Sequence, residues 1–247
     1  MATFTPAVSE PPVASRRRGH NQPPFEGSGD GDRDNPGSPD YASRLRRARL
    51  GLGVALTPIL MLFVSFTSAY VVRQGLPTLD PETNKVVHDW VSVPLPTALF
   101  LINTLVLIAS SLTIERARRQ LSRQMILQPI EQIPGVRASN EKRFPWLGIT
   151  ILLGLAFLTG QWFAWRELAD RGFFVATGPS SSFFYLLTGA HAFHLMGGIL
   201  ALFIAGSTVI LRRSLESRQI AVDVTAWYWH FMALLWIYIL ALLEFAH

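Results

Sequence analysis

Residues 183–211 read FFYLLTGAHAFHLMGGILALFIAGSTVIL, and residues 224–245 read VTAWYWHFMALLWIYILALLEF. Each run is apolar for long enough to cross the hydrocarbon core of a bilayer, which takes about 20 residues of helix. Each also carries histidine, an ionisable side chain that is costly in lipid and needs a partner or a task there. His191, His194 and His230 are therefore the residues that any functional reading has to place.

Working outward, three more apolar runs precede these two, giving five spans at about Leu50–Val72, Pro94–Ile114, Trp146–Leu168, Phe183–Leu211 and Val224–Phe245. No water reaches the lipid core, so every backbone polar group in a span must be satisfied within it, which dictates helices. The chain is predicted to be an all-α integral membrane protein, with residues 44–247 forming one five-helix transmembrane domain. Composition agrees, with 49% hydrophobic and only 16% charged residues. Residues 1–43 are rich in Pro, Gly, Ser and Asp and almost free of aliphatic side chains. Such a segment cannot bury enough apolar surface to offset its ordering entropy, and is expected to be a disordered cytoplasmic tail. The first 49 residues hold no apolar signal region, so the first span is expected to act as its own insertion signal.

Of the 22 basic residues, 18 lie before span 1, between spans 2 and 3, or between spans 4 and 5. The alternate connections hold only Arg73, Lys85, Arg166 and Arg171. The positive-inside rule then places the N-terminus in the cytoplasm and the C-terminus outside. Because the net charge of +5 is sorted by topology, it does not point to a nucleic-acid partner. The absence of cysteine excludes disulfides, thiolate metal sites and iron–sulfur clusters in this chain.

Polar residues inside the spans predict how the helices meet. Pro58 interrupts the bonding of span 1, where Thr57 can compensate. Asn103, Thr104, Ser110 and Ser111 give span 2 a polar stripe facing other helices. The segment after span 2, ERARRQLSRQMILQ, keeps helical periodicity and should prolong that helix until Pro129, Pro134 and Gly135 break it. The turn-rich connection between spans 1 and 2 leaves His88 exposed. Gln161 is the main polar residue of span 3, whose ends carry Trp146, Trp162 and Trp165 as interfacial anchors. In span 4, Ala190, His194, Gly197, Ala201 and Ala205 follow helical spacing, which turns His194 into a close helix contact.

His191-x-x-His194 puts two imidazoles on one helix face, a spacing that also suits a metal or a haem. A protein metal site needs three or four ligands, so His230 would have to join. At ~1.5 Å per residue, span 4 places His194 roughly 16 Å below the outer face and span 5 places His230 about 10 Å above the inner one. The vertical gap is then of order 15 Å, too far for a shared ion. The plain alternative is that these are neutral, hydrogen-bonded packing histidines. No G-x-S-x-G element supports a serine hydrolase.

The run LLTGAHAFHLMGG followed by AWYWHFMALLWIYIL closely resembles the last two helices of subunit III of haem–copper terminal oxidases, the cytochrome c oxidase type. Thr188, Gly189, His191, His194 and Gly198 fill that family's T-G-x-H-x-x-H-x-x-x-G pattern. Asp223, Trp227, Tyr228, Trp229, His230 and Phe231 fill its E-x-x-x-W-Y-W-H-F pattern, with aspartate for glutamate. Asn103, Thr104, Ser110 and Ser111 are similar to its N-T-x-x-L-x-x-S-S element, and Gly154, Phe157 and Gln161 to its G-x-x-F-x-x-x-Q segment. The resemblance covers about residues 48–247 and is to the short, five-helix bacterial form. Three acids expected from the family are absent: Ile59, Ala164 and Ala233 stand at their positions.

The resemblance implies a subunit of a proton-pumping cytochrome c oxidase of aerobic respiration, in the bacterial inner membrane. Haem and copper are then expected in partner subunits I and II, with cytochrome c as electron donor and no cofactor or catalytic centre in this chain. It further implies a supporting role: bracing the catalytic subunit, binding phospholipids, and assisting proton uptake or O₂ access. Asp223, Trp227, Tyr228, Trp229 and His230 are expected at the cytoplasmic head-group level with Arg212 and Arg213 as phosphate partners. His191, His194 and Gln161 are expected to brace packing toward the outer side. An accessory subunit of a quinol oxidase or nitric-oxide reductase stays open, as does a stand-alone transporter or haem-binding protein.

Overall fold

The structure, a computed structural model, describes residues 39–79, 86–87, 90, 95–131, 145–211 and 214–245. Five helices follow one another: α1 (Pro39–Gly75), α2 (Thr97–Glu131), α3 (Trp146–Asp170), α4 (Pro179–Ile210) and α5 (Leu215–Phe245). All five are long and apolar enough to cross a membrane. The chain is a multi-pass helical membrane protein. Between α1 and α2 lies a two-residue antiparallel ladder, β1 (Thr78–Leu79) with β2 (Val86–Val87), pairing Thr78 with Val87 and Leu79 with Val86. The turn-rich composition of that connection did not announce it.

Three helices run past the apolar spans read from sequence. Helix α1 starts at Pro39, so the last five residues of the segment expected to be tail are helical. Ser43 Oγ bonds back to the Asp40 carbonyl at 2.8 Å, and Asp40 in the first turn suits the positive end of the helix dipole. The remainder of the tail lies outside the described residues, as do His88, Pro134 and Gly135. Helix α2 does continue as its periodicity predicts, and it runs through Pro129 to Glu131 instead of breaking there. So near the helix end a missing N–H removes one bond and has little left to disrupt. Helix α5 begins at Leu215, nine residues before its apolar run.

Helix α2 packs against α3 and α5, α4 against α5 and α3, and α1 against α5 and α4. Helix α1 is the outermost: 6% of its apolar window is buried, against 44% in α4 and α5. Lipid is as apolar as leucine, so close packing and polar contacts, more than hydrophobic exclusion, hold such helices together. Trp229 supplies both. A β-carbon at Gly154 of α3 would come within 2.8 Å of its ring, and one at Gly198 of α4 within 3.3 Å, so glycine alone lets the indole lie between the two helices. Its Nε1 donates to Ser110 Oγ of α2 at 2.8 Å. Trp236 Nε1 donates to Thr104 Oγ1 at 3.0 Å, and Trp165 Nε1 to Thr188 Oγ1 at 3.1 Å. Three indoles thus tie α5 to α2 twice and α3 to α4 once.

Candidate functional site

Two groups of polar side chains stand out from the apolar bundle. The first is a charge cluster where the start of α1, the far end of α2 and the start of α5 meet. Asp223, with only 7% of its side chain exposed, accepts from Arg49 Nε at 2.8 Å, Arg49 Nη2 at 3.1 Å and Arg118 Nη1 at 3.2 Å. The Arg49 contact is bidentate, the geometry in which guanidinium and carboxylate bind best. Glu115 pairs with Arg118 at 2.9 Å and with Arg119 at 2.8 Å, through the helical spacings i,i+3 and i,i+4. His230 Nε2 lies 3.8 Å from Glu115 Oε2, and Arg44 reaches buried Glu216 at 3.5 Å. An open cleft of about 420 Å³ runs beside the cluster, lined by Arg49, Arg118, Arg119, Arg123, Gln219 and Asp223 among others.

The second group is a buried polar layer deeper in the bundle. Asn103 Nδ2 donates to the Phe157 carbonyl at 3.2 Å, fastening α2 to α3. His191 is fully buried, with its ring 5.2 Å from Trp236 and 5.9 Å from Phe157. Gln161 is 1% exposed. Neither ring nitrogen of His191 and neither amide atom of Gln161 has a hydrogen-bond partner among the described residues. An unmet polar group in an apolar interior costs about 1–3 kcal/mol, so this layer is not ordinary packing.

The structure redistributes the residues singled out from sequence. Asp223 is the shared carboxylate of the charge cluster, paired with Arg49 and Arg118. Trp229 is in the core, for the glycine contacts given above, while Trp227 is 53% exposed and free to face lipid. Tyr228 donates to the His194 carbonyl at 2.8 Å. His194 does enter a helix contact: its ring lies 5.9 Å from Phe63 of α1, and Nδ1 donates to the Ala190 carbonyl at 2.7 Å. On α4, however, the tight approach is at Gly198, which is buried, and not at exposed Gly197. His194 is thus hydrogen-bonded within its own helix, while His191 has no protein partner among the described residues. Arg212 and Arg213 lie outside the described residues.

The vertical gap estimated between His194 and His230 is too large. Tyr228 sits level with Gly198, one turn from His194, because α5 starts well before its apolar run and His230 is higher in the bundle than the span boundary implied. The two imidazoles still point apart, to Ala190 and Glu115. No three His, Asp or Glu side chains converge as metal ligands among the described residues. Where the resemblance expects acids, Ala164 is fully buried, Ala233 is 8% exposed and Ile59 packs against the core. Arg49, Arg118 and Glu115 were missed as a unit. The E-x-x-R-R spacing at 115–119 was a legible signal, hidden because the arginines were read only as topology markers.

These features define a class: a multi-pass bundle whose polar residues join helix to helix. The chain belongs to the cytochrome c oxidase subunit III family, whose sequence model matches residues 46–245. A protein of Mycobacterium leprae named probable cytochrome c oxidase subunit 3 is 30% identical over 142 residues, 58% of this chain and 63% of its own. Cytochrome c oxidase subunit 3 of Triticum aestivum is 27% identical over 198 residues, covering 77% and 65%. That of Danio rerio is 28% identical over 196 residues, covering 77% and 66%. The chain spans just under two thirds of the length of these curated relatives.

Proposed function

We propose that this chain is the third, non-redox subunit of a proton-pumping cytochrome c oxidase in a bacterial plasma membrane. Subunits I and II of that complex would carry the haem and copper and take electrons from cytochrome c. The observation that carries the reading is the family match across residues 46–245, which takes in all the helices but the first turns of α1. Its part in the complex is to brace the catalytic subunit, hold lipid and support proton uptake or O₂ access. The N-terminus is cytoplasmic and the C-terminus outside. The reading rests on the sorting of basic residues, 18 of 22 of which lie before span 1, between spans 2 and 3, or between spans 4 and 5.

Support for lipid binding comes from α2. Arg119 is 73% exposed beside the cleft, and Arg123 lines it as well. Arg118 and Arg123 follow Ile114 by about 6 and 13 Å along the helix, a depth suited to lipid phosphates. Arg119→Gln with Arg123→Gln should reduce the anionic phospholipid retained on purification. Deleting the chain should leave a complex that reduces O₂ but inactivates sooner or pumps fewer protons per electron. Unchanged turnover, lifetime and proton stoichiometry would remove the supporting role.

A further inference from the structure

Gln161 and His191 offer four polar atoms with no partner among the described residues, and both side chains are buried to within 1% of completely. Both lie along the packing of α3 on α4. Phe157, one turn before Gln161 on α3, meets the His191 ring edge-on at 5.9 Å. Trp165, one turn after Gln161, bonds to Thr188, one turn before His191 on α4. Gln161 therefore sits between two α3 residues that touch the same turn of α4. It shares the buried stripe of α3 with Phe157 and Ala164. The small side chains of Ala164 and Ala192, both buried, border this turn.

We propose that Gln161 and His191 form an internal hydration site, with one water molecule bonded to both side chains and joining α3 to α4. The matching of donors and acceptors selects this ligand. A carboxamide presents a donor nitrogen and an acceptor oxygen, and a neutral imidazole presents one of each. The two side chains make no direct bond to each other. A water has two donors and two acceptors, and buried waters make about three bonds to groups otherwise unpaired. Among the described residues the buried carboxylates are Glu216 and Asp223, both in the charge cluster and not in this layer, so none of them favours an ion here. The site is independent of the assembly proposed above, since it is closed within this chain.

The test is proton-detected solid-state NMR of the full-length chain, labelled with ¹³C,¹⁵N-alanine and ¹³C,¹⁵N-histidine, in lipid nanodiscs. His191 is assigned through its neighbours Ala190 and Ala192, so wild type suffices for the first readout. The expected result is a cross-peak between an imidazole nitrogen of His191 and water that persists on the slow time scale of a trapped molecule. Gln161→Leu should abolish it. A cross-peak to the Gln161 amide in its place, or none to water, overturns the proposal. The second readout is thermal melting of Gln161→Leu, His191→Phe and the double variant. A shared water predicts that the double variant melts no lower than the worse single one, since no orphaned polar atom remains. Additive losses would mean independent packing residues.

Discussion

Asp223 gathers the ends of three helices through two guanidiniums. Asp223→Asn keeps the shape and removes the charge that Arg49 and Arg118 share, and should cost about 2 kcal/mol in unfolding or protease-susceptibility measurements. Asp223→Glu, the residue of the family pattern, should cost less, because a carboxylate stays within reach of both arginines. At Trp229, Phe would lose the bond to Ser110 and leave a gap between Gly154 and Gly198, a further loss of about 2 kcal/mol. Gly198→Leu should be worse, since the new side chain has no room beside Tyr228 and Trp229. At this scale the sequence was a partial guide. It marked Asp223, Trp229, His191 and Gln161 as unusual through their residue type in an apolar run. It could not show that Asp223 meets Arg49, 174 residues away, or that Trp229 turns inward while Trp227 turns outward. Those facts depend on helix rotation, which a uniformly apolar span leaves undetermined.

Among the elements, α1 is held differently from the rest. Its apolar length is almost uncovered, and its polar ties include Arg44 to Glu216 and Ser217 and Arg49 to Asp223 near one end, with Thr67 to Tyr238 further along. Ion pairs with half-exposed arginines weaken as the screening length falls from about 10 Å at 0.1 M salt to about 3 Å at 1 M. High salt, or Arg44→Gln with Arg49→Gln, should loosen α1 before α2–α5. The chain has no cysteine, so a spin label on a Ser43→Cys variant reports this without background; equal mobility in low and high salt would contradict it. The five helices themselves were legible, because hydropathy over some 20 residues is a strong signal. Their true ends were legible only in part: helical periodicity announced the extension of α2, whereas the early starts of α1 and α5 lie in polar sequence, where no lipid boundary shows in the composition.

For the molecule as a whole, the orientation has a direct check. Cysteines at Ser43→Cys and Glu244→Cys should be protected from and open to an impermeant thiol reagent added outside the cell, respectively. The reverse pattern would invert the bundle. The central claim, membership in an oxidase, is tested most directly by capturing the full-length chain from membranes in mild detergent, through a tag at its N-terminus. The eluate is read by reduced-minus-oxidised spectra and by mass spectrometry of its subunits. The account predicts haem bands and co-purifying subunits of the oxidase I and II type. A colourless chain, stable by itself and free of such partners, would contradict it.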